Sequence, residues 1–260
     1  MSPIKKNSRL IFLGTGSLDV FPKPGCNDIL CQAARRGGKD RRAQPGLIYN
    51  RILIDCGEGI PERIKEWHLE NEFDAVLISH PHRDHCWGLQ RFPWKKPIYV
   101  PLDSREIFDN LFPELKSRFR NYYCLGENEI NGEKFKAIRI FHSPAIFNHA
   151  FRFNKFVYAQ DIGKLDKKFG EFVKNAKLVI GDGFSFDQDF VIQEAYYHVS
   201  MIRQINFFVK YQVRSIIFDG IGHHSKVPHE YLELKLWDYV EDNNLKISVH
   251  LAYDGLTLGF

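Results

Sequence analysis

The chain has 260 residues, 44% hydrophobic and 14% aromatic, which supplies ample material for a packed core in one large domain. Its formal charge of +4 is spread along the sequence rather than gathered in a tail, so it argues only weakly for an anionic partner. No run of about 18 apolar residues is present to span a membrane, and five cysteines, an odd number without a secretion signal, fit a disulfide framework poorly.

The opening MSPIKKNSRLIFLG is basic but lacks the long apolar stretch and cleavage site of a signal peptide, so the expectation is a cytoplasmic protein, with residues 1–260 forming a single domain. Short apolar runs at 9–16, 47–55 and 74–80 read as strands. PERIKEWHL lies between the last two and reads as a helix, with Pro61 suited to its first turn. The stretch from Pro22 to Pro45 carries turn residues, two cysteines and the basic series Arg35, Arg36, Lys39, Arg41 and Arg42 without clear periodicity. It is too long for an idle loop in a compact domain.

The alternation continues beyond residue 96. PIYV predicts a strand, DSREIFDNLF a helix that Asp103 or Ser104 can cap, and FKAIRIF, HAFRF and KFVYA three strands. A helix over DKKFGEFVKNA, a strand at KLVIGD, a helix over SMIRQINFFVKYQ, a strand at RSIIFD and a helix over HEYLELKLWDYVEDN follow, and the chain returns to strand at its end. Clustered strands followed by alternating strand and helix predict an α/β architecture with helices packed outside sheets.

The densest chemistry is in DAVLISHPHRDHCWG, where His80, His82, Asp84 and His85 fall within six residues directly after a strand. Imidazoles suit zinc and related divalent metals, and an added carboxylate allows two ions to share one site. A lone histidine is usually just hydrogen-bonded, but HxHxDH after an apolar strand is far denser than chance placement on a polar loop gives.

This pattern resembles the metallo-β-lactamase superfamily. The resemblance runs through LGTG at 13–16, IDCGEG at 54–59, the HxHxDH loop, His142 after a later strand and Asp161 in YAQDIG, all in that superfamily's order. Within it the chain is similar to the phosphoribosyl cyclic phosphodiesterase branch, relatives of the tRNA 3′-processing nucleases. The signals are the segment GTGSLDVFPKPGCNDILCQAARRGGKDRR, HxS at His198 to Ser200, IGH at 221–223 and AYDG at 252–255.

The resemblance implies a four-layer αββα sandwich and a hydrolase acting on cyclic phosphodiesters or nucleotides through a metal-bound hydroxide. It implies that His80, His82 and His142 hold one divalent ion and Asp84 and His85 a second, with Asp161 bridging; the ions would be zinc, or manganese. His142 is preferred to His149 because it ends an apolar strand. Asp84 is expected to act in catalysis as well as in binding metal, and His198 to be the general acid for the leaving group.

Two departures from the family pattern leave alternatives open. Relatives read THIGH where this chain reads FDGIGHH, so Gly220 stands where a histidine ligand of the second ion belongs. Asp219 or His223 (or His224) can replace it, or the second ion is held weakly or not at all. Relatives also bind a structural zinc through a CxCxxC loop and the last His of THIGH, whereas here only Cys26 and Cys31, with His223 and His224, are on offer. Other readings are an RNA-processing nuclease of the same superfamily, with Arg35 to Arg42 gripping phosphates, a β-lactamase or thioesterase, and a metal-poor binding or regulatory protein on the same fold.

Overall fold

The computed structural model describes residues 9–192 and 196–259. In chain order its strands are β1 (Arg9–Gly14), β2 (Gly46–Tyr49), β3 (Ile52–Ile54), β4 (Ala75–Leu77), β5 (Ile98–Pro101), β6 (Phe119–Tyr122), β7 (Glu127–Ile130) and β8 (Glu133–Ile140). They continue with β9 (Asn148–Phe153), β10 (Val157–Tyr158), β11 (Val179–Asp182), β12 (Phe190–Ile192), β13 (Tyr196–His198), β14 (Ser215–Asp219), β15 (Ser248–Leu251) and β16 (Thr257–Gly259). The helices are α1 (Ile29–Arg35), α2 (Ile60–Glu66), α3 (Arg83–Cys86), α4 (Arg105–Leu111), α5 (Lys167–Val173), α6 (Met201–Lys210) and α7 (His229–Asp242).

Two mixed seven-stranded sheets result, ordered β16-β1-β2-β3-β4-β5-β6 and β15-β14-β11-β10-β9-β8-β7, with a separate two-stranded β12-β13 pair. Leu10, Phe12, Leu47, Ile54 and Leu77 of the first sheet and Phe151, Tyr158, Ile180 and Ile217 of the second belong to one core between the sheets. A second core on the outer face of the first sheet takes Ile60 and Ile64 of α2 and Phe108 of α4. A third, on the outer face of the second sheet, takes Phe169 of α5, Ile205 and Phe208 of α6 and Leu232 and Leu236 of α7. Helix, sheet, sheet, helix is the four-layer arrangement expected. The central parallel strands β3, β4 and β11 are buried at every position, as strands covered on both faces must be.

Local chemistry explains the element ends. Ser200 caps α6 by accepting from the Arg203 N–H, and Asp166 caps α5 by accepting from Phe169. In α6 the buried Met201, Ile205 and Phe208 recur at helical spacing and form its inward stripe. The strand expected over 47–55 is a hairpin instead: β2 and β3 pair antiparallel, and Asn50, with φ of 50°, supplies the left-handed turn between them. The stretch from Pro22 to Pro45 is ordered around α1, which Asp28 caps through the Cys31 N–H.

Candidate active site

The predicted donors gather at the ends of strands from both sheets. His80 and His82 lie on the loop after β4 and Asp84 and His85 in the short helix α3 that follows it, His142 follows β8 and Asp161 follows β10; Asp182, which was not among the predicted donors, ends β11. The ligating atoms of His80, His82, His142 and Asp161 all lie within 4.8 Å of one another, and so do those of Asp84, His85 and Asp161. Asp161 is shared by both groups: its Oδ2 is 3.2 Å from His80 Nε2, 3.3 Å from His85 Nε2 and 3.4 Å from His142 Nε2. It takes this position from a left-handed backbone, with φ of 52°.

Each of three rings is held by its other nitrogen. His80 Nδ1 meets Ser79 Oγ at 3.0 Å, His142 Nδ1 donates to the Tyr197 carbonyl at 2.8 Å, and His85 Nδ1 donates to Asp55 Oδ2 at 2.7 Å. That leaves Nε2 of each ring turned toward Asp161, the outer-shell pattern that orients metal-ligating imidazoles. His85 Nε2 is buried without a hydrogen-bond partner, and His80 Nε2 and His82 Nδ1 approach to 2.8 Å. Nitrogen lone pairs and carboxylate oxygens converging in a buried pocket are the donor set a divalent cation requires.

The electrostatics agree. Burial pushes the His80 imidazole well below its usual pKa, with His85 and His82 adding to the effect, and burial brings His142 down to about 4. Burial also disfavours charge on His85, but Asp161, Asp84 and Asp55 outweigh it and hold the ring protonated well above the usual range. Burial would likewise raise Asp161, yet the charges of His85 and His142 and the hydrogen bonds from His80 and His82 keep its carboxyl well below the carboxylate range. Burial raises the carboxyl of Asp84. The pocket concentrates negative charge that protons neutralise where no cation does.

His198 closes the cluster on one side. Its Nδ1 is 2.9 Å from Asp182 Oδ2, its ring stacks on Phe184 at 3.9 Å and meets His142 edge-on at 4.8 Å. Burial alone would lower its pKa, but the charge and hydrogen bond of Asp182 raise it. The ligating atoms of Asp161, Asp182 and His198 lie within 4.8 Å of one another.

The region of the missing histidine differs from each replacement considered. His223 is drawn to Cys26 and Cys31, with Nε2 3.5 and 3.2 Å from their sulfurs and 3.2 Å from Asp28 Oδ2, and it is not among the groups around Asp161. His224 does not join these cysteines: its ring tilts against Phe184 at 4.3 Å on the His198 side. Asp219 accepts from Gln160 Nε2 and from the Gly220 N–H, and burial raises its carboxyl to about 7. Gly220 has φ of 70°, and a Cβ there would meet Gln160 Oε1 at 3.1 Å. The backbone has taken a conformation that suits glycine and not an imidazole ligand. The fourth member of the cysteine group is therefore Asp28, already committed as the α1 cap, and the chain spacing gave no sign of it.

Asp55 and Tyr158 also escaped the sequence reading as site residues. Asp55 accepts from Ser79 N at 2.7 Å, Ser79 Oγ at 2.8 Å and Tyr158 OH at 2.8 Å, besides His85. A carboxylate directly after the all-apolar ILI was the available signal. The basic series is dispersed: Arg42 is buried and donates to Thr15 Oγ1 and the Ala252 carbonyl, and Arg35 donates to the Cys26 carbonyl. Arg42 is thus spent inside the molecule rather than on phosphates, whereas Arg35 is exposed.

Residues 50–219 match the family model of the beta-lactamase superfamily domain, and the chain belongs to that superfamily, whose members are mostly metal-dependent hydrolases. Among its relatives, an octanoyltransferase of Porphyromonas gingivalis is 24% identical over 270 aligned positions, covering 95% of this chain and 51% of that protein. The anti-Pycsar protein Apyc1 of Paenibacillus harenae is 29% identical over 140, covering 45% of this chain and 58% of that one. The chain thus spans a little over half the length of these relatives at most. The crystal structure of a diphosphatase from the PhnP family superposes with a TM-score of 0.79 at 20% identity over 98% of each chain, which shows the shared fold. Among the described residues no helix is long and apolar enough to cross a membrane.

Proposed function

We propose that the chain is a single-domain, metal-dependent phosphodiesterase acting on cyclic phosphodiesters or nucleotides. The observation that carries this reading is the His198–Asp182 pair standing beside the His/Asp cluster, which sets a proton donor next to a site built for cations. His80, His82, His142 and Asp161 would hold one ion, and Asp84, His85 and Asp161 a second. Zinc suits the imidazole-rich set, and manganese tolerates the carboxylate-rich one. Such ions supply Lewis acidity toward phosphoryl oxygens and lower the pKa of water.

The chain's own residues do the rest. Asp55 and the Tyr197 carbonyl fix the His85 and His142 rings before any substrate arrives, so the donors need no reorganisation. Asp182 fixes the His198 ring through Nδ1 and favours its protonated form, leaving Nε2 to deliver a proton to the departing oxygen. With Gly220 in place of an imidazole and with Asp219 and His223 engaged elsewhere, Asp84, His85 and Asp161 would be the groups holding the second ion, which would then exchange more readily than the first. Cys26, Asp28, Cys31 and His223 would hold a separate structural zinc, a mixed sulfur, nitrogen and oxygen set that zinc accepts. The relative described as a diphosphatase supports phosphoryl chemistry, while the octanoyltransferase match makes acyl esters the reading to exclude.

The test is elemental analysis of purified protein together with a substrate panel of cyclic nucleotides, ribose cyclic phosphates, short RNA, thioesters and a β-lactam. Turnover confined to thioesters or lactams sinks the proposal. Within it, His198→Ala is expected to cut turnover by about 100-fold or more on an ester with a poor leaving group and little on a nitrophenyl ester. Equal losses on both would remove the general-acid role.

A further inference from the structure

A third convergence of ligating groups lies outside the cluster around Asp161. Asp103 follows β5, Cys124 lies just past β6, and His149 is in β9, yet their ligating atoms come within 4.8 Å of one another. His149 is fully buried, the Asp103 side chain is 13% exposed and Cys124 is half-buried, so the group opens toward the surface on the thiol and carboxylate side. Exposed Tyr123 and Leu125 flank Cys124. Arg139, paired to Asp103, lies over the exposed Phe147 ring at 4.0 Å.

The direction of the His149 ring decides what the group can do. In a Cys-His-Asp nucleophile the thiol and carboxylate take opposite ring nitrogens, because the carboxylate must hold the tautomer from behind. Here Nδ1 is already spent on the Ser79 carbonyl at 2.9 Å and Asp103 Oδ2 faces Nε2 at 3.2 Å, so Nδ1 has no carboxylate behind it and Nε2 is the nitrogen left for an ion. A backbone carbonyl on Nδ1, a carboxylate at Nε2 and a thiol in the same group are the surroundings of a metal-ligating histidine. Tetrahedral zinc, with bonds of about 2.0 Å to nitrogen and oxygen, sets ligand atoms about 3.3 Å apart, close to the observed nitrogen–oxygen separation.

We propose that Asp103, Cys124 and His149 form a binding site for a thiophilic divalent ion of the zinc class, with three protein ligands and one position open to solvent. The ion displaces two protons to solvent, the one shared between His149 and Asp103 and that of the Cys124 thiol, and Arg139 remains as the counter-charge on the carboxylate. The site shares no ligand with the His80 cluster but abuts it, because Ser79, whose carbonyl fixes the His149 ring, also bonds His80 and Asp55 through its side chain. Occupancy therefore pins the start of the HxHxDH loop.

The experiment reads the thiol itself. Full-length protein, stripped with chelator, is alkylated with N-ethylmaleimide with and without added zinc, and each cysteine is followed by peptide mapping. Zinc is expected to protect Cys124, since a ligated thiolate is not free to react. Protection at Cys124 should be lost in Asp103→Asn and in His149→Gln while any protection of Cys26 and Cys31 persists. Equal labelling of Cys124 with and without zinc in the folded wild type overturns the proposal, as does protection surviving in Asp103→Asn, whose half-buried position keeps the variant foldable. Hydrolytic activity does not enter the readout, so this result and that of the substrate panel are separable.

Discussion

Asp55 and Ser79 hold the candidate site together without belonging to any ligand set. Asp55 takes four hydrogen bonds from three residues in a fully buried position, and Ser79 links it to His80 and, through its carbonyl, to His149. The His149–Asp103 pair behind them makes stability depend on pH in a defined direction. Burial would lower His149, but Asp103 and Cys124 together outweigh it and lift the ring to about 9; burial would raise Asp103, but His149 and Arg139 hold it down to about 2. The histidine's contribution is complete below its ordinary value of about 6.5 and fades as pH rises through about 9. The aspartate's is complete above about 3.8 and fades as pH falls toward 2. In chelator-treated protein, His149→Gln should therefore lower the melting midpoint most between about pH 4 and 6.5. The gap from wild type should narrow toward pH 9, and a gap that widens with pH would contradict the pairing.

At the level of elements, α5 contains a glycine that propensity alone would mark for replacement. Gly170 lies inside this seven-residue helix, where alanine normally stabilises by about 1 kcal/mol. Here the Tyr211 ring, just past α6, lies directly on the glycine, and a Cβ would fall within it. The sign should reverse. Gly170→Ala is expected to destabilise by about 1–3 kcal/mol through overpacking, read by denaturant unfolding, and relief in Gly170→Ala/Tyr211→Ala would locate the clash. Helix α6 was legible in the sequence because its buried Met201, Ile205 and Phe208 follow helical spacing after a serine cap. The β2-β3 hairpin was not, because an apolar run interrupted by Asn50 and Arg51 reads like one strand until the positive φ of Asn50 is known.

Across the whole molecule, the candidate metal ligands tie the two sheets to each other. His80, His82, Asp84 and His85 come from the loop and short helix α3 after β4 of the first sheet, and His142 and Asp161 from loops of the second. A cation bound by both binds the folded state and not the separated layers. Added zinc should raise the melting midpoint of chelator-treated protein, with about 2.7 kcal/mol of stabilisation when free zinc reaches one hundred times its dissociation constant. A His80→Ala/His142→Ala variant should lose the part of that dependence owed to this site, and the remainder in calorimetry should go with Cys26→Ser and Cys124→Ser.

The sequence by itself determined the alternation of strands and helices, the class of fold, and the HxHxDH loop as the chemical centre. Those features are local: four donors within six residues, apolar periodicities and caps show in short windows of chain. Only the tertiary structure decided which distant groups meet. It brought His142 and not His149 to Asp161, and placed His223 with Cys26, Asp28 and Cys31. It turned Asp219 toward Gln160, and it gathered Asp103, Cys124 and His149 into one group. Those outcomes follow from strand register and from the direction in which each side chain leaves its loop, quantities set by packing between sheets that no short stretch of the chain records.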